Sequence, residues 1–102
     1  MADTRFGLIS YDQEQARVLI RTPSFNFDDF PTLADELLQL LSAKVLEKQW
    51  DADLYSWLID FEGAQLMLKA EHYSESVWIE ALTKNDSQEE LAFLASLFER
   101  GF

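Results

Sequence analysis

One segment, residues 54–82, constrains the fold more than any other part of the chain. Apolar residues recur at every second position on both sides of the dipeptide Glu62-Gly63, which suits a two-residue hairpin turn. A further group of turn-forming residues follows at 73–76. Because successive side chains of a strand point to opposite faces, the segment predicts three consecutive antiparallel strands. The pairs predicted across the first turn are Phe61 with Ala64, Ile59 with Leu66, and Trp57 with Leu68.

The second predicted turn sets the register of the third strand. If Tyr73 lies opposite Ser76, Lys69 falls between Ser56 and Glu80. Opposite charges are favourable cross-strand neighbours, so this register is chemically coherent. The apolar pairs then occupy one face, and Lys69 and Glu80 occupy the other.

Two shorter alternating runs and a helical pattern precede this segment. Arg5–Tyr11 and Gln15–Arg21 predict two strands. Apolar residues at helical spacing then predict a first helix from Phe30 to about Lys48, which Asp28 or Asp29 would cap.

The series Ser87-Gln88-Glu89-Glu90 matches a capping box, and an apolar stripe from Leu91 predicts a second helix that Gly101 ends. The resulting order is β-β-α-β-β-β-α. Two amphipathic helices need an apolar sheet face to cover, which favours a two-layer α+β fold. We therefore expect a five-stranded antiparallel sheet with both helices on one face. With 102 residues, the chain suits one domain over residues 1–102.

Charge and composition limit the partners that we expect. Nineteen acidic and eight basic residues give a formal charge of -11, which repels phosphate backbones. Direct nucleic-acid binding is therefore not expected. The acidic excess has two interpretations: a face that attracts a basic protein or imitates nucleic acid, or a solvated surface that like charge keeps soluble.

The sequence also predicts a location. The first residues lack the basic start and apolar run of a signal peptide, and no stretch approaches the ~20 apolar residues of a membrane-spanning helix. The chain contains no cysteine, so disulfides and thiolate metal sites are excluded. We expect a cytoplasmic protein without membrane contact, and neither a cofactor nor a metal is predicted.

The second face of the predicted three-strand sheet is too apolar for a purely solvated surface. Large exposed apolar patches usually mark association sites, so this face predicts a contact with a protein partner or a second copy. Alternatively, the Phe25–Phe27 segment or Phe102 folds over it. The candidate interaction residues are Leu58, Met67 and Leu82 in one row, with Leu54 and Trp78 in the row that contains Glu71.

His72, the single histidine, is a second candidate site. It stands near Glu71 and Glu75, and a carboxylate could raise its proton affinity, which would suit catalysis or pH sensing. The predicted register instead places His72 beside Val77 on the helix-covered face, where an edge histidine satisfied by hydrogen bonds is the simpler interpretation. One histidine without cysteine does not make a zinc site.

The run at residues 57–71, WLIDFEGAQLMLKAE, resembles the central hairpin of small acidic bacterial proteins of unknown function. The resemblance covers the hairpin alone and carries over no catalytic residue. It implies a bacterial cytoplasmic protein.

Two functional hypotheses follow from these patterns. The first is a non-enzymatic cytoplasmic interaction module that associates with a protein partner or with itself through the apolar sheet face. The second is a small-ligand-binding domain or enzyme that uses carboxylates and His72 in a cleft between helices and sheet.

Overall fold

The computed structural model describes residues 5–83, 85 and 87–101. Across these residues the chain forms six strands and two α-helices, and a short 3-10 turn at Phe27–Asp29 precedes the first helix. The strands are β1 (Gly7–Asp12), β2 (Arg17–Arg21), β3 (Lys44–Asp51), β4 (Leu54–Phe61), β5 (Ala64–Glu71) and β6 (Ser76–Ala81), and the helices are α1 (Phe30–Leu41) and α2 (Gln88–Arg100).

The strands form an open sheet in the order β1-β2-β6-β5-β4-β3, and every neighbouring pair is antiparallel. The predicted α+β class, with an antiparallel sheet and two helices, is confirmed. The predicted strand number is wrong, because the sheet has six strands rather than five.

The first helix ends earlier than predicted, and its extension to Lys48 is wrong. Ser42 adopts a left-handed conformation with φ of 56° directly after α1. Its N–H donates to the Gln39 carbonyl at 3.1 Å, and the N–H of Ala43 donates to the Leu38 carbonyl at 2.9 Å. This pair of bonds satisfies carbonyls that would otherwise lack partners, in the pattern of a Schellman motif.

The residues beyond this stop form the edge strand β3. Val45, which the helical pattern had included, lies opposite Ile59 in the sheet. A bulge between Val45 and Glu47 then shifts the register. Further along the strand Lys48 lies opposite Trp57, with its ammonium 4.4 Å from the ring centroid. Bulges and charged side chains protect an exposed sheet edge from pairing with other chains.

The helix starts are built differently from the prediction. Asp29 and Ser87 occupy the predicted cap positions, but neither side chain makes a capping hydrogen bond. The Asp29 carboxylate accepts instead from the Asn26 amide at 3.3 Å, and Ser87 is left-handed with φ of 60°. The predicted end of α2 is confirmed, because the N–H of Gly101 donates to the Leu97 carbonyl at 3.0 Å.

The two-residue turn between β4 and β5 is confirmed, together with the three pairs predicted across it. Glu62 and Gly63 both have positive φ, 54° and 82°, as a type I′ hairpin requires. The carboxylate of Asp60 accepts the N–H of Gly63 at 3.1 Å. Local turn chemistry therefore fixes this register.

The register predicted between β5 and β6 is wrong by two residues. Ser76 lies opposite Glu71, not Tyr73, so the connecting loop is longer than expected. A shift of two keeps every side chain on its predicted face, because the side-chain period of a strand is two. Lys69 consequently lies diagonal to Glu80, and their charged groups still approach to 3.7 Å.

The buried face of the sheet shares one core with both helices. Phe30 of α1 packs against Tyr55 and Trp57, with ring centroids 4.9 and 5.9 Å apart. Phe98 of α2 is completely buried in the same core. Within residues 5–83, 85 and 87–101, every buried side chain is aliphatic or aromatic. Burying such a side chain contributes roughly 1.5–3 kcal/mol, so this layer holds the sheet and fixes which face remains outside.

Candidate interaction surface

The candidate site is the face of the sheet that points away from the helices, here called the open face. Along β4, β5 and β6, residues on this face are half-buried and alternate with buried residues on the helix side, except at the start of β5, where Gln65 is exposed and Ala64 is half-buried. The five predicted interaction residues all lie on or at the end of this face: Leu54, Leu58, Met67 and Trp78 are half-buried, and Leu82 is exposed.

Three of these residues come together in a shallow apolar depression. Leu58 lies opposite Met67, as predicted. Met67 lies opposite Glu80 rather than Leu82, because of the two-residue shift. Leu82, just beyond the end of β6, nevertheless lines the same depression as Leu58 and Met67. The polar residues around it are Glu47, Gln49 and Ser56.

Trp78 lies in a small electrostatic network beside this depression. Its indole N–H donates to Glu80 Oε1 at 2.7 Å. The same carboxylate oxygen lies 3.7 Å from Lys69 Nζ and 4.0 Å from Arg17 Nη2. The Arg17 guanidinium also lies over the indole, 5.4 Å from its centroid. These contacts hold the indole in one orientation through a charge-assisted hydrogen bond and a cation–π contact.

Leu54 does not share a row with Trp78, contrary to the prediction. It lies opposite Glu71, whereas Trp78 lies opposite Lys69 and, across β2, opposite Leu19. Leu19 is a half-buried member of the open face that sequence reasoning did not assign to it. The alternation of β2 places Leu19 outward, but its neighbours depend on pairing with a strand about sixty residues later.

Phe25, one of the residues predicted to cover the open face, lies on the other side of the sheet. Phe25 packs against the core and contacts Phe30, with ring centroids 5.6 Å apart. It therefore belongs to the helix side. The side chain of Phe27 and all of Phe102, the other predicted covers, lie outside the described residues.

His72 does not lie where the predicted register placed it. Val77 pairs with Ala70 on the helix side, whereas His72 is exposed in the loop between β5 and β6. Its N–H donates to the Asp53 carbonyl at 2.9 Å, and its ring lies 5.4 Å from that of Tyr73. The predicted edge-strand position beside Val77 is wrong because β5 ends at Glu71, which makes the loop two residues longer than predicted.

The structure does not gather the carboxylates around His72 into one cleft. Glu71 lines a depression on the open face, with Ser76 and Trp78. Glu75 lines another depression, next to the first turn of α1. His72 lines neither of them. A role for this histidine stays a prediction.

Two further searches concern only the described part of the chain. Within it, no group of three or more His, Cys, Asp or Glu residues has an arrangement that could hold a metal ion. None of the helices found there is both long and apolar enough to cross a membrane.

Comparison with known proteins places the chain in a family. No curated protein and no solved structure matches it. A family model, described as a protein of unknown function (DUF3630), matches residues 6–99. The match extends well beyond the hairpin that resembles proteins of unknown function, and it covers α1 and all of α2 except its last residue. The chain therefore belongs to DUF3630, a family of proteins of unknown function.

Proposed function

We propose that this protein is a non-enzymatic interaction module of the bacterial cytoplasm that binds a protein chain through its open face. One observation carries the proposal. Leu58, Met67 and Leu82 form an apolar depression on the open face. The buried residues of both helices pack into the core on the opposite side of the sheet.

The composition of this face suits a protein interface. Leu82 has 49% of its surface exposed at the rim of the depression, and covering such a surface is favourable. Trp78 and Arg17 are the residue types that most often dominate binding energy at interfaces. Because Glu80 already holds the indole of Trp78, binding would cost little side-chain entropy there.

The test uses two matched tryptophan substitutions in the full chain. Trp78→Glu places a charge on the open face, and Trp50→Glu places the same charge on a tryptophan that is 65% exposed beside Tyr55, on the helix side. We expect cross-linked protein adducts of the tagged chain in source cells to be lost with Trp78→Glu and kept with Trp50→Glu. Thermal unfolding of each variant verifies that it is folded.

If folded Trp78→Glu keeps every adduct of the wild type, the open face is not the binding surface. Repeating the capture at low salt and at about 1 M salt separates the apolar from the electrostatic contribution to binding, because the electrostatic screening length falls to roughly 3 Å at the higher concentration. Retention at high salt is expected for an apolar contact. Loss at high salt would assign binding to the acidic surface instead.

A further inference from the structure

The outer edge of β1 is not covered by any strand of the described chain, because β1 is the first strand in the sheet order. Such an edge presents backbone N–H and C=O groups that can pair with another chain. Ile9, the extra residue of a bulge in β1, has 59% of its surface exposed there. Asp12 is the one charged residue of the strand.

The opposite edge of the sheet, β3, is less suited to pairing. Four of its eight residues are charged, namely Lys44, Glu47, Lys48 and Asp51. Charged side chains discourage an edge strand from accepting another strand. Of the two edges, β1 is therefore the one that is more open to a partner.

The sequence of β1 is self-complementary when two copies pair antiparallel about a two-fold axis that passes Ser10 perpendicular to the sheet. This register pairs Ser10 with Ser10, Tyr11 with Leu8, and Asp12 with Gly7. Ile9 remains an extra residue in each copy, as it already is in the pairing of β1 with β2. Each pair also has both side chains on one face, as antiparallel pairing requires.

The pair of Asp12 with the partner's Gly7 brings a carboxylate onto a guanidinium. Gly7 lies opposite Arg21 of β2, and the guanidinium carbon of Arg21 lies 2.9 Å from the position that a Cβ of Gly7 would occupy. The guanidinium therefore lies over the edge strand itself. Cβ positions of directly opposite residues are about 4.5–5.5 Å apart, so a carboxylate at the partner's Asp12 reaches this guanidinium. The two-fold axis makes this ion pair twice.

Asp12 can accept this contact without losing those it already makes. One of its carboxylate oxygens accepts the N–H of Gln15 at 3.0 Å. A carboxylate has about four acceptor sites, so lone pairs remain for a guanidinium. The two copies of Asp12 lie on opposite sides of the axis and do not face each other.

The helix side of the same contact is apolar. Tyr11 and Leu8 are half-buried and pack at the margin of the core. Pairing covers each of them with the other from the partner, and covering apolar surface is favourable. Glu89 and Ala92 of α2 line a depression with Tyr11 at this edge. Because this depression lies toward the end of β1, the two copies of Glu89 fall on opposite sides of the axis.

We propose that a second copy of this chain pairs with β1 about Ser10 and joins the two sheets into one continuous sheet. The contact leaves the open face of each copy free, so it is independent of the proposed function and places two open faces side by side. A cross-linked adduct between copies should therefore persist in Trp78→Glu, whereas adducts with other proteins are lost.

The contact is small, and a weak dimer is expected. Two six-residue strands pair over ~20 Å, which is less than the about 800 Å² per partner of a stable interface requires. The net charge of -11 on each copy also opposes association. We therefore expect a dissociation constant between about 1 µM and about 1 mM.

The experiment uses the residue that faces itself across the axis. Ser10 is exposed, so Ser10→Lys and Ser10→Glu should both fold, which thermal unfolding verifies. Sedimentation velocity from about 1 µM to about 1 mM should show a wild-type dimer and at least about tenfold weaker association of either variant alone, because like charges then meet. An equal mixture of the two variants should restore the dimer, because opposite charges then meet at the axis.

A matched control separates this contact from net charge. Gln49→Lys makes the same change in charge at an exposed position on β3, on the same face of the sheet, and should leave the dimer intact. Asp12→Asn keeps an acceptor for the Gln15 N–H and should weaken association about tenfold by removing both ion pairs.

Four results would each overturn the proposal. The first is a wild type that stays monomeric at about 1 mM, and the second is a mixture that associates no better than the separate Ser10 variants. The third is an equal loss of association with Gln49→Lys and Ser10→Lys. The fourth is unchanged association of Asp12→Asn.

Discussion

Burial raises the pKa of the Tyr55 phenol, and the negative charge of Asp28 raises it further. The side chain lies in the core beside Phe30, where the phenolate is poorly solvated. A tyrosine in the unfolded chain ionises near pH 10. The stabilisation linked to the protonated phenol is therefore fully present below about pH 10 and is lost as pH rises through the higher pKa of the folded state.

Tyr55→Phe should consequently make stability less sensitive to alkaline pH. We expect the free energy of unfolding of the wild type to fall more steeply than that of the variant above about pH 10. Urea unfolding at a series of pH values measures both slopes. Tyr73→Phe, which alters a phenol that is 77% exposed, is the matched control. Equal slopes for Tyr55→Phe and the wild type would contradict this assignment.

The turn between β4 and β5 depends on Gly63. Its φ of 82° is strained for any residue with a Cβ, and a Cβ built there would have no atom within 4 Å. Gly63→Ala should therefore destabilise the protein by about 1 kcal/mol through backbone strain alone. Urea unfolding tests this, and a variant as stable as the wild type would show that the turn relaxes freely.

The preceding residue offers the opposite test. Glu62 has φ of 54° in the same turn, and asparagine tolerates this conformation better than glutamate does. Glu62→Asn should raise the free energy of unfolding by about 0.5 kcal/mol, measured in urea. A decrease would mean that contacts of the Glu62 side chain outweigh its backbone strain.

At the scale of elements, the end of α1 is decided by backbone conformation rather than by side-chain pattern. Leu41 and Val45 continue the helical spacing, and Lys44 and Lys48 suit a helix end, so the sequence favoured a longer helix. Ser42 stops it by adopting the left-handed conformation that glycine usually provides. The sequence has no glycine at this position to indicate a helix end. The bulge in β3 also interrupts the alternation of apolar and polar residues that would have predicted a strand.

Ser42→Gly should strengthen this helix end. The relief of strain in the left-handed conformation outweighs the entropic cost of ordering the more flexible glycine. We therefore expect the free energy of unfolding to rise by about 0.5 kcal/mol. Ser96→Gly, the same change within α2, should instead cost about 0.5 kcal/mol. Thermal or urea unfolding shows whether each substitution raises or lowers the free energy of unfolding. A loss of stability with Ser42→Gly would contradict the role assigned to that position.

At the scale of the whole molecule, the acidic excess should lower stability through self-repulsion. Raising NaCl from about 0.01 M to about 0.1 M shortens the screening length from ~30 Å to ~10 Å. We expect the free energy of unfolding to rise with salt by an amount of the order of 1 kcal/mol. Urea unfolding at a low protein concentration, where association does not contribute, measures this. Asp35→Lys/Glu89→Lys should show a weaker salt dependence, and a decrease in wild-type stability with salt would refute the explanation.

The sequence by itself determined the features that depend on close neighbours along the chain. Alternation assigned the residues of β4, β5 and β6 to their faces, and the Glu62-Gly63 turn fixed the first hairpin register. These features need only the period of a strand and the conformation of two residues. For the same reason, all five predicted interaction residues lie on or at the end of the open face.

Only the tertiary structure decided the features that join distant segments. Pairing of β2 with β6 brings Leu19 and Arg17 next to Trp78, although about sixty residues separate them. The recruitment of residues 44–51 as an edge strand likewise depends on an available edge of β4. Such contacts are set by the closure of long loops and the burial of a shared core, neither of which is encoded in local periodicity.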